Sequence, residues 1–99
     1  MIPQIEASLA ALDIQLVGEA KGFLIFSRGN CIAIAYSTKN GFSSLGSSGM
    51  MTEAGLAYLV WRGDRPVLVG KGVEQPADPQ HVECIQQFSR DLKSALGLD

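Results

Sequence analysis

The sequence predicts an α+β domain in which a five-stranded antiparallel sheet, a meander of three strands plus a hairpin of two, lies between an N-terminal and a C-terminal helix. Three observations predict it. Apolar residues recur at helical spacing near both ends, β-branched and aromatic runs fill the middle, and two-residue connections containing glycine separate those runs. The expected order is helix, three strands, a loop or short helix, two strands, helix.

From Pro3 to Leu12, Ile5, Leu9 and Leu12 recur at helical spacing, and Pro3 suits a first turn where its missing N–H costs nothing. Strand-like runs follow at Ile14 to Ala20, Phe23 to Arg28 and Cys31 to Ser37, joined by Lys21-Gly22 and Gly29-Asn30. Asn40-Gly41 reads as the end of the third strand. The stretch Gly41 to Gly49 is so rich in glycine and serine that it reads as a loop, with one helical turn around Met50 to Glu53. Strands resume at Leu56 to Trp61 and Pro66 to Val69 through Gly63-Asp64, whose glycine permits the positive φ of a tight hairpin. Asp78 before Pro79 is an N-cap signal, Val82, Ile85, Phe88, Leu92 and Leu96 mark the buried stripe of the last helix, and Gly97 stops it.

The 99 residues suit one domain, residues 1–99, with no internal repeat and no linker. The chain is 46% hydrophobic and 18% charged, which excludes disordered composition. Eight basic against ten acidic residues leave a mild net charge of −2, so no global field draws the chain to nucleic acid or anionic lipid. The start Met1 to Glu6 lacks a basic, apolar leader and the apolar runs are too short to span a bilayer, which reads as a cytoplasmic protein with no membrane partner. Cys31 and Cys84 then read as buried thiols rather than a structural disulfide.

The runs around Phe23 to Phe26, Cys31 to Tyr36 and Leu56 to Trp61 are apolar at successive positions, so both faces of the sheet want cover. Two helices cover one face. That leaves Leu24, Phe26, Ala57 and Leu59, or their alternates, needing something else, and a second copy of the chain is the simplest occupant. The competing expectations are that the helices straddle the sheet or that the serine-rich loop folds over the open face.

Several residues carry chemistry that a site would use. His81 and Cys84 lie three apart on the last helix and offer two zinc ligands with Cys31 as a third, but no fourth is evident, and no metal or other cofactor is expected. A Cys–His nucleophile needs a proximity the sequence does not show, and Cys31 sits among isoleucines and alanines, where thiols are inert. Gly41, Gly46, Ser47 and Ser48 have the glycine spacing of a phosphate-binding loop without its lysine. In an up-and-down order the Gly29-Asn30 and Gly63-Asp64 turns share one end of the sheet, gathering Arg28, Arg62 and Arg65 near Trp61 as an anion-holding or partner-binding tip. A pocket between the sheet and the last helix is expected near His81, Cys84, Tyr36 and Tyr58.

The order of elements resembles the architecture of small acidic homodimeric chaperones of type III secretion, a likeness carried by that order alone and by no residue motif. It implies a dimer that holds an extended segment of another protein against apolar surface or sheet edges. With a single histidine and no catalytic motif, the sequence as a whole reads as a non-enzymatic, homodimeric protein-interaction domain. The alternative is a domain that binds a small molecule or anion, with weak catalysis at most.

Overall fold

The computed structural model describes residues 3–39, 41–53 and 55–98. Helix α1 (Pro3–Ala11) is followed by seven strands, β1 (Gln15–Ala20), β2 (Phe23–Arg28), β3 (Cys31–Thr38), β4 (Gly41–Thr52), β5 (Gly55–Arg62), β6 (Arg65–Gly70) and β7 (Val73–Pro76), and then by helix α2 (Pro79–Ala95). The strands form one antiparallel sheet in chain order, β1 to β7, so each neighbour in sequence is a neighbour in space. The α+β class and the flanking helices agree with the sequence. Among the described residues the sheet has seven strands, not five. No helix among the described residues is long and apolar enough to cross a membrane.

Both extra strands have a physical origin. The stretch 41–49, expected as a loop, is the body of β4, and Met50 to Thr52, expected in a helical turn, continues that strand. Asn40 lies outside the described residues. Along β3 the register runs Ala33 opposite Ser48 and Ala35 opposite Leu45, then Tyr36 opposite Ser44 and Ser37 opposite Phe42. Each step inserts one surplus residue into β4, which makes two β-bulges on the same strand. Bulges bend and twist a strand and break the two-residue alternation of its side chains. The helix-facing positions of β4 therefore fall at Phe42, Leu45, Ser48 and Met50, a spacing that matches neither strand nor helix. The other added strand, β7, is short and polar and pairs with β6 through Leu68 opposite Gln75 and Val69 opposite Glu74.

Leu9 of α1, Phe26, Ala33, Ala35, Ala57 and Leu68 of the sheet, and Ile85, Phe88, Leu92 and Ala95 of α2 belong to one buried cluster. Small alanines on β3 complement the large side chains of α2, which lies across β3 and β4, while α1 packs against α2. Full burial of each Phe, Leu or Ile contributes on the order of 1.5–3 kcal/mol. Phe42 joins this layer edge-on, its ring centroid 6.1 Å from that of Phe26.

The helix ends are closed by specific backbone geometry. Asp78 caps α2, its carboxylate accepting from Gln80 N at 2.8 Å with Pro79 in the first turn, as the sequence suggested. At the other end Gly97 takes φ +74, Gly97 N donates to Ser94 O at 3.2 Å and Leu98 N to Lys93 O at 2.8 Å, the paired bonds of a Schellman motif. Helix α1 ends the same way without a glycine: Asp13 takes φ +61, Asp13 N donates to Ala10 O and Ile14 N to Leu9 O. The apolar contact that accompanies the motif is supplied by Leu9 and Ile14, each 5% exposed.

Candidate interaction surface

Because side chains alternate across a strand, burial of Phe26, Ala33, Ala57 and Leu68 under the helices turns their neighbours to the other face. That face is built of cross-strand apolar pairs: Ile25 with Ile34, Phe23 with Tyr36, Tyr58 with Val69, and Val60 with Val67. Each of Ile25, Ile34, Tyr58, Val60, Val67 and Val69 is only half-buried, and Tyr36 and Met51 are 46% and 47% exposed. No helix among the described residues covers them, since α1 and α2 both belong to the cluster on the opposite side. Of the two sets that the sequence left open, Leu24, Phe26, Ala57 and Leu59 face the helices and their alternates form the open surface. The serine-rich segment does not fold over it, being a strand of the sheet itself.

Charge on this face includes an ion pair that reaches across its β5–β7 side, from the β5–β6 turn to Glu74 opposite Val69. Arg62 and Arg65 are paired residues at the β5–β6 turn, and Arg62 donates to Glu74 Oε1 of β7 through Nη2 at 2.6 Å and Nε at 3.2 Å. The sheet edges are less suited to pairing than the face. Strand β1 carries a bulge at Val17 between Leu16 and Gly18, and β7 spans four residues and ends in Pro76. Bulges, shortness and proline are the devices by which edge strands avoid adding another chain.

The residues singled out from the sequence do not converge. With β4 a full strand, Gly29-Asn30 and Gly63-Asp64 fall at opposite ends of the sheet, so Arg28 is separated from Arg62 and Arg65. Arg28 is instead committed to α2, at 2.9 Å from Asp91 Oδ2. Trp61 opposes Pro66 beside the Arg62–Arg65 turn and is 49% exposed. Tyr36 and Tyr58 stand on the open face, whereas His81 and Cys84 ride on α2 across the sheet. His81 lines a cleft of about 340 Å³ with Met50, Thr52, Leu68 and Gln75. Among the described residues no three His, Cys, Asp or Glu side chains gather closely enough to hold a metal.

A cleft between the sheet and α2 does exist, with a different lining. It measures about 560 Å³ and is bounded by Ser43, Ser44 and Ser48 of bulged β4 and by Ser89, Arg90 and Lys93 of α2. Ser89 donates to Ser48 Oγ at 2.8 Å across its floor, and Arg90 Nη2 donates to Gln87 Oε1 at 2.9 Å. Arg90 and Lys93 supply the positive charge that the glycine-serine segment lacks in sequence. No local pattern announces them, because they reach the cleft only through the packing of α2 on β4. The apolar face, by contrast, was announced by the two-sided strands. Comparison with protein-family models, curated proteins and solved structures finds no match for the chain.

Proposed function

We propose that the chain is a non-enzymatic protein-interaction domain that self-associates by apposing the open apolar sheet faces of two copies. The observation that carries this reading is the row of half-buried pairs Ile25–Ile34, Tyr58–Val69 and Val60–Val67, which no helix among the described residues covers. Contiguous apolar surface of this kind marks interaction sites. A two-fold arrangement lets one patch serve both partners, and the blunted β1 and β7 edges favour the face over the edges as the contact. Native mass spectrometry and sedimentation at micromolar concentration test it. A dimer that Ile34→Glu and Val60→Glu each convert to a folded monomer is the expected result, and a compact wild-type monomer overturns it.

A second reading rests on the cleft between β4 and α2. Hydroxyls from Ser43, Ser44, Ser48 and Ser89 together with Arg90 and Lys93 suit a small oxyanion, which such groups bind by charge-assisted hydrogen bonds. Titration with inorganic phosphate, followed by amide chemical shifts, should perturb β4 and the last turns of α2 in the wild type and not in Arg90→Ala/Lys93→Ala. Absence of any perturbation at millimolar phosphate rejects this second reading and leaves the first intact.

A further inference from the structure

The two cysteines lie in different elements, yet α2 brings them together. Cys31 opens β3, 7% exposed on the helix-covered face, directly opposite Arg28 in the β2–β3 ladder. Arg28 fixes where α2 crosses this hairpin: its guanidinium lies 5.4 Å over the Phe88 ring and 2.9 Å from Asp91. Cys84 is one helical turn before Phe88 and two turns before Asp91, on the same side of α2. The two thiols are brought together there, near enough for Cys84 to act on the Cys31 thiol, and both are free: Cys31 is buried as the sequence predicts, whereas Cys84 is exposed on α2 and is not the buried thiol expected.

We propose that Cys31 and Cys84 form a redox-sensitive dithiol that a peroxide closes into an intramolecular disulfide, clipping α2 to the β2–β3 hairpin. The two positions have different parts to play. Burial pushes the Cys31 thiol up, the charge and hydrogen bond of Cys84 add to this, and Arg28 pulls more weakly the other way. Cys31 is thus a sheltered, protonated thiol, and Cys84 is the one that meets an oxidant in solvent. The Cys84 sulfur attacks one peroxide oxygen, the O–O bond breaks, and Cys84 sulfenic acid and water are formed. The Cys31 sulfur then attacks the Cys84 sulfur, the S–O bond breaks, and the hydroxide leaves with the Cys31 proton as a second water. The two sulfurs are oxidised by two electrons in total and the peroxide is reduced.

The clip lies on the helix side of the sheet, away from the open face, so it stands or falls separately from self-association. Exposure of the folded full chain to dilute hydrogen peroxide, followed by intact mass under denaturing, non-reducing conditions, tests it. The expected product has the mass of one chain less two hydrogens, no alkylatable thiol, and a linked peptide pair containing Cys31 and Cys84. Its Tm should rise by roughly 10 °C and return with dithiothreitol, because closing a long loop restricts the unfolded chain. Cys84→Ser, an exposed substitution, should leave Cys31 alkylatable after the same treatment. Disulfide-linked pairs of chains, over-oxidised Cys84 beside a free Cys31, survival of both thiols, or a linked product with no gain in Tm would each overturn the proposal.

Discussion

Arg28 and Asp91, 63 residues apart in the chain, form an ion pair with Nη1 at 2.9 Å from Oδ2, joining strand β2 to helix α2. The same nitrogen donates to Leu12 O at 3.2 Å, at the end of α1, and the guanidinium lies over Phe88. One side chain thus ties both helices to the sheet. Exposed ion pairs contribute little, but this one is half-buried and shares its cation with a ring and a carbonyl.

Arg28→Ala is therefore expected to cost about 2 kcal/mol, summing a charge-assisted bond, a cation–π contact and a carbonyl left with one partner fewer. Arg28→Lys should recover less than half, since an ammonium lacks the planar fork that serves these partners together. Urea unfolding followed by tryptophan fluorescence from Trp61 measures both. A loss under 0.5 kcal/mol, by order of magnitude that of a lone surface pair, would show that the helices are held without Arg28.

The same contact sets a pH dependence. The hydrogen bond from Arg28 holds the Asp91 carboxyl below the usual range, helped by Gln87, while partial burial acts the other way. A carboxyl depressed in the folded state makes the unfolded chain bind protons first, so its contribution to stability is complete above the ordinary value, about 4, and fades as pH falls through the folded value. Wild-type stability should consequently drop below about pH 4 more steeply than that of Asp91→Asn, the two curves converging at the acid end. Parallel curves between pH 2 and 6 would mean that Asp91 carries no linkage, on the scale set by the ordinary carboxyl range.

Asp13 occupies left-handed backbone at φ +61 and is exposed, in the Schellman turn that ends α1. A non-glycine residue there costs roughly 1–2 kcal/mol, part of which glycine gives back through the freer unfolded chain. Asp13→Gly should stabilise the protein by about 0.5–1 kcal/mol and raise Tm by roughly 3–6 °C, with Asp13→Ala moving it the opposite way. A lower Tm for Asp13→Gly would place the value of Asp13 in its side chain and not in its backbone.

How much of this was legible in the sequence depends on whether local pattern or long-range packing decides the element. Helix α2 declared itself through Asp78, Pro79 and the Ile85–Phe88–Leu92 stripe, and β2 was bounded correctly by its flanking turns. Strand β4 was missed because its two bulges scatter Phe42, Leu45, Ser48 and Met50 off any regular period, and glycine and serine there resemble a loop. Leaving out that one strand reverses the direction of everything after it, which is why the sequence pattern puts Arg28 and Arg62 at one end while the sheet separates them. The apolar excess of β2, β3 and β5 corresponds to apolar side chains on both faces of the sheet, but alternation alone does not say which face the helices take. Asp13 gave no signal, because the helix stop expected of glycine is made there by an aspartate.

Gly49 shows how closely the bulged strand is fitted. It lies opposite Tyr58 in the β4–β5 ladder, and a methyl group placed on it would collide with the Ala57 carbonyl oxygen while standing 2.7 Å from Tyr58 Cα and 2.8 Å from the Ala57 carbonyl carbon. All three are backbone atoms of a central strand, which cannot turn aside without breaking ladder bonds on both of its edges. Gly46→Ala differs in kind: its methyl would meet the Tyr36 ring at 2.9 Å, and that ring belongs to a 46% exposed side chain with room to swing. Gly49→Ala should accordingly cost roughly 3 kcal/mol or more, and Gly46→Ala about 1 kcal/mol, in denaturant unfolding. Equal costs at the two positions would contradict the close approach of β4 to β5. The larger loss at Gly49 would show that glycine is required in β4 by the spacing of the sheet, whatever loop-like character the composition lends it.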